Sequence, residues 1–138
     1  MEKNKGKIYE FLFESSPDLN ELIKYTSILF EVEKSDIGNL DNQKCSKISL
    51  DVQKLNGDIG FNLVVSVFVD SDIVPLDDLL VVKFFAQKTG EILLTSNDKS
   101  NNPFLWFKVL PDGSVLEVEE EPIDEIESIV ITDFEQEV

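Results

Sequence analysis

Over residues 59–70 the chain reads IGFNLVVSVFVD, with Ile59, Phe61, Leu63, Val65, Val67 and Val69 on every second position. That is the period at which a β-strand points side chains to one face. Val64 and Phe68 fall on the opposite face, so that side must be partly covered as well. Just upstream, Leu55-Asn56-Gly57-Asp58 contains Asn-Gly, the pair that tolerates the positive φ angles of a two-residue type I′ turn. A hairpin over 47–70 closed by that turn sets Val52 opposite Phe61, Leu50 opposite Leu63 and Ile48 opposite Val65. Ser49, Asp51 and Gln53 then take the second face. Turn chemistry and apolar pattern agree, and the rest of the chain is arranged around this pair of strands.

Residues 7–13, KIYEFLF, alternate Tyr9, Phe11 and Phe13 as a strand does, though Ile8, Phe11 and Leu12 would also suit a helix. Ser15-Ser16-Pro17-Asp18 carries a hydroxyl cap, a proline for the first helical position and an acid for the first turn, a helix-start signal. Leu19, Leu22, Ile23, Thr26 and Phe30 keep helical spacing, which predicts a helix over 17–24. Residues 27–33 stay open between helix and strand, because Ile28, Phe30 and Val32 also alternate, and 35–45 reads as a loop. In 79–87, LLVVKFFAQ, the residues Val81, Val82, Phe84 and Phe85 favour a strand. Pro75, Asp77 and Asp78 ahead of it and Gly90 behind it would suit a helix. The strand is preferred, since Lys88-Thr89-Gly90 can close a hairpin onto 91–95 that sets Phe84 opposite Leu94 and Ala86 opposite Ile92.

A further hairpin joins 104–110 to 115–119 through Pro111-Asp112-Gly113. Residues 122–138 open with proline and acids and place Ile123, Ile126, Val130 and Phe134 on one helical stripe, against a β-branched run at 128–132. The predicted architecture is a single α+β domain over 1–138. It is an antiparallel β-meander of five to six strands with an N-terminal amphipathic helix and, where the stripe prevails, a C-terminal helix.

At 138 residues and 42% apolar composition the chain can bury a core without staples. No run approaches the ~20 apolar residues of a membrane helix, and no apolar segment follows the basic start as a secretory signal requires. Cys45 is the only cysteine, so no internal disulfide forms and a cytoplasmic address is expected. There is no histidine, which removes Ser-His-Asp and Cys-His catalysis and histidine-ligated zinc. All 12 basic residues are lysine, which removes arginine fingers and bidentate guanidinium contacts to phosphate. A net charge of −16 disfavours nucleic acid as a direct partner. The charge is uneven: 1–110 carries 17 acids against 12 lysines, a net of −5, and 111–138 carries 11 acids and no lysine, a net of −11.

Glu117, Glu119, Glu120, Glu121, Asp124, Glu125 and Glu127 are therefore the foremost candidate contact residues. They read either as a solvated acidic tail or as a surface complementary to a basic protein. Solubility alone does not need so many like charges in one segment, which favours the second reading. Asp70, Asp72, Asp77 and Asp78 form a second acidic group. Their spacing lacks the glycine and terminal glutamate of an EF-hand loop, so they read as a polar connection or a second contact patch and not as a metal site. Trp106 with Phe104 and Phe107 reads as core, and Cys45 beside Lys44 has no base to activate it. No cofactor site and no catalytic constellation is predicted.

In size, acidity and the lack of catalytic groups the chain resembles the small immunity proteins that protect bacteria from toxins, many of them basic nucleases. That likeness implies one-to-one capture of a toxin domain by the acidic surface. A second likeness lies in LIKYTSILFE, KISLDVQ, GFNLVVSVFVD and VVKFFAQKTGEILL, whose order resembles the sheet of SecB-like chaperones. It implies that Tyr25, Phe30 and Glu31 sit on a first strand and that apolar grooves hold unfolded or antitoxin clients. After Leu94 the chain departs from that pattern, with the FLWFKVL hairpin in place of a long helix. Self-association is left open by these residues.

Overall fold

Tyr9, Phe11 and Phe13 are buried and Ile8 and Glu10 are exposed, as the alternation in β1 (Lys7–Phe13) requires. The computed structural model describes residues 6–39 and 47–138; Cys45 and Lys44 lie outside them. The helix α1 (Leu19–Phe30) begins two residues later than predicted and runs further. Its cap is Asp18, which accepts from the backbone N–H groups of Asn20 at 2.9 Å and Glu21 at 3.3 Å. Leu22, Thr26 and Phe30 are its buried stripe, four residues apart. Glu31 ends it in the left-handed region at φ 55°. Tyr25 and Phe30 thus lie on a helix and not on a strand, with Glu31 as its terminus.

The stretch predicted as a loop contains a short strand, β2 (Ile37–Asn39), which pairs in parallel with β3 (Ile48–Lys54). β3 pairs antiparallel with β4 (Leu63–Val69), but Val52 faces Val65, Leu50 faces Val67 and Ile48 faces Val69. The predicted register is off by four residues. An even slip leaves every side chain on its proper face, so the apolar pattern alone could not detect it. The loop is longer because residues 55–62 are bound elsewhere, as described below.

Residues 79–87 are not a strand. They lie in α2 (Asp78–Thr89), capped by Asp77, which accepts from the Leu80 N–H at 3.3 Å. Gly90 closes it at φ 71° and donates its N–H to the Ala86 carbonyl at 2.9 Å, the left-handed stop that glycine makes without strain. Val81, Val82, Phe85 and Ala86 are buried on one side. Caps at both ends outweigh the β propensity of the valines and phenylalanines between them.

The remaining strands are β5 (Leu93–Ser96), β6 (Leu105–Val109), β7 (Val115–Glu120) and β8 (Ile131–Glu137). β8 replaces the expected C-terminal helix, because the β-branched residues prevail over the apolar stripe. Among the described residues the order β2-β3-β4-β1-β5-β6-β7-β8 makes one eight-stranded mixed sheet with a single parallel pair. This corrects the expectation of a five-to-six-stranded antiparallel meander. Among the described residues no helix is long and apolar enough to cross a membrane.

Both helices cover one face of the sheet, where Phe11, Phe13, Ile48, Leu50, Val65, Val67 and Leu93 pack with Leu22, Val81 and Phe85. The Phe85 ring stacks on Phe11 with centroids 4.9 Å apart. On the other face Leu12, Leu94 and Val118 pack under Phe61 and Ile129, with Leu55, Ile92 and Trp106 around them. Among the described residues no helix lies there. The cover consists of the 55–62 loop and the segment leading into β8, joined where Phe61 and Ile129 exchange backbone hydrogen bonds of 2.8 and 2.9 Å.

Candidate functional site

Asn56, expected in a hairpin turn, instead anchors the acidic segment. Its carbonyl accepts from the N–H groups of Glu127 and Ser128 at 2.7 and 2.9 Å. Its own N–H donates to Glu127 Oε1 at 2.9 Å, and its side-chain amide donates to the Glu125 carbonyl at 3.2 Å. Gly60 must be glycine here: it sits at φ 74°, and a Cβ would meet the Ile129 carbonyl. The C-terminal acids are therefore mounted on the body of the fold from Asp112 onward.

Those carboxylates divide into two sets. One set satisfies donors of the protein itself. Glu117 accepts from Asn97 Nδ2 at 3.0 Å, Glu120 from Trp106 Nε1 at 3.0 Å, and Glu127 from Asn56 as above. Ser114, through its N–H at 2.9 Å and its hydroxyl at 2.6 Å, holds the Asp112 carboxyl below its ordinary range. The second set points outward. Glu121, Asp124 and Glu125 are exposed and Glu119 is half-exposed, and neither of the two ion pairs among the described residues involves them.

Asp133, Glu135 and Glu137 on β8 extend this surface, with Glu135 held by Lys108 at 2.7 Å. These three were absent from the sequence-derived candidates because a helix was expected there. The alternation Asp133, Glu135, Glu137 around Phe134 and Gln136 is the strand signal that reveals them.

The second acidic group lies elsewhere and is largely occupied. Asp77 caps α2, and Asp78 pairs with Lys7 at 3.0 Å. That contact, the largest influence on Lys7, raises its pKa above the ordinary lysine value. Lys7 Nζ and the Tyr9 hydroxyl both donate to the Leu76 carbonyl, at 3.0 and 2.9 Å, and the Tyr9 oxygen accepts from the Leu76 N–H at 2.9 Å. Asp70 accepts from the Ser71 N–H at 2.7 Å, and Asp72 is exposed. β7 lies three strands from β1, about 14 Å across the sheet, while Asp77 and Asp112 line one groove together with Lys83 and Phe84. Among the described residues no group of three or more acidic or thiol side chains is placed to share an ion.

No family model matches the chain, no curated protein matches its sequence, and no solved structure matches its fold.

Proposed function

We propose that the protein is a non-enzymatic acidic binder that neutralises a basic protein partner in the cytoplasm, in the manner of an immunity protein inhibiting a bacterial toxin. The observation that carries this reading is the division of the C-terminal carboxylates. Those the fold needs are hydrogen-bonded, and Glu119, Glu121, Asp124 and Glu125 project with no lysine anywhere in 111–138 to balance them. Holding like charges side by side costs stability, and a cationic partner relieves that cost on binding. Such a field acts chiefly by accelerating encounter and excluding wrong partners. A toxin nuclease domain, whose substrate-binding face must itself be cationic to hold phosphates, has the required chemistry.

The test changes Glu119, Glu121, Asp124 and Glu125 to their amides and keeps Glu117, Glu120 and Glu127. The variant should fold normally and fail to protect cells of the source organism. Full protection by a folded variant would overturn the proposal.

A further inference from the structure

β8 ends the sheet order, so among the described residues one of its sides has no neighbouring strand. The Val138 N–H donates to the Val115 carbonyl at 3.2 Å, and the register from Val118–Glu135 to Leu116–Glu137 is unbroken. Peptide groups alternate in direction along a strand. Gln136 and Val138 therefore turn their backbone groups to β7, while Glu135 and Glu137 turn theirs away from the sheet. The segment 133–137 is exposed. An edge of this kind is a template for another strand.

A second copy of this chain is the wrong strand. Two-fold antiparallel pairing sets odd-numbered residues against odd-numbered ones, so Asp133, Glu135 and Glu137 would meet one another or Ile131. Like charges directly opposite destabilise a pair. Lysine is the commoner guard of a sheet edge; a carboxylate guard excludes this acidic chain and admits a basic one. Two lysines stand close by. Lys108 is held by Glu135, and Lys99 lines a groove with Asn97, Glu117 and Glu137.

We infer that β8 is a docking edge, to which an extended lysine-bearing segment of the basic partner adds as a further strand. This rests on the proposed function and makes it more specific. Main-chain hydrogen bonds to Glu135 and Glu137 supply affinity, and the carboxylates of Asp133 and Glu137, outside both ion pairs of the described residues, select a cationic strand over a neutral or acidic one.

The experiment titrates the isotope-labelled full chain with three probes: a short peptide alternating lysine and valine, the same peptide N-methylated along its backbone, and its glutamate counterpart. The lysine peptide should slow hydrogen exchange at the Glu135 and Glu137 amides, and methylation should weaken binding about tenfold or more by removing its donors. Glu137→Pro deletes one outward N–H and spares the bonds of Gln136 and Val138 to β7; it should weaken the lysine peptide comparably, while Glu137→Gln retains most of the binding. Thermal melts establish that both variants are folded. Equal binding of the plain and methylated peptides, or protection only at other amides, would overturn strand addition and leave the charge-based proposal standing. A lysine peptide that binds no better than the glutamate one would remove both.

Discussion

Phe11 and Leu12 are neighbours in the chain and belong to different cores. Phe11 lies beneath two helices whose backbones satisfy their own hydrogen bonds and whose apolar faces close over the sheet. Leu12 lies beneath two irregular segments that pack Phe61 and Ile129 onto the sheet and bond to each other, through Phe61 with Ile129 and Asn56 with residues 125–128. The helix side is therefore expected to set global stability, and the opposite side to open locally before the sheet unfolds. Glu121, Asp124 and Glu125 lie on this irregular cover and Glu119 lies on β7, so most of the outward acids sit on the side without helices.

The largest test of that contrast is Phe85→Ala, which removes a fully buried ring stacked on Phe11. It should lower global stability by about 3–5 kcal/mol, read by denaturant melts. Phe61→Ala removes a ring almost as buried. Its global cost should be smaller, about 2–3 kcal/mol, because the loop and the 121–130 segment can detach together. Hydrogen exchange should then speed up at Ile129 while the β1 amides stay protected. Equal loss of protection on both faces would break the comparison.

Trp106→Phe deletes the indole N–H that meets Glu120, with an expected cost of about 1 kcal/mol, since the pair is only partly buried. The smallest effect concerns Lys7. Its pKa is raised in the folded state, so the stabilisation is fully present below the ordinary lysine value and is lost as pH rises through the folded one. Lys7 is 37% exposed, which limits the contribution to less than about 1 kcal/mol. Lys7→Gln should lower stability by that amount at neutral pH and flatten the alkaline end of the profile, where variant and wild type converge.

The contrast between the faces also explains what could be read from the residues alone. β1 was legible from its alternation, as was the pairing of β3 with β4, because Tyr9, Phe11 and Phe13, Ile48 and Leu50, and Val65, Val67 and Val69 are buried at every second position. The register was not, since Asn56-Gly57 is used for a contact with residues more than sixty positions away, and local turn chemistry carries no trace of that contact. In α2 the caps Asp77 and Gly90 were visible and correct, and the apolar composition between them misled. For β8 the β-branched run and the alternating acids pointed to a strand, while the opening proline and acids belong to the crossing segment before it. Charge was legible as a quantity. Its division into bonded and outward carboxylates required partners such as Trp106 and Asn97 that only the fold brings near.

The most direct measurement is the affinity for the partner purified from the source organism, determined at about 0.1 M and about 0.5 M salt. The account predicts that binding weakens steeply across that range in the wild type and becomes weak and nearly salt-independent once Glu119, Glu121, Asp124 and Glu125 are amides. Wild-type binding that is indifferent to salt, or an amide variant that binds as tightly as the wild type, would contradict it.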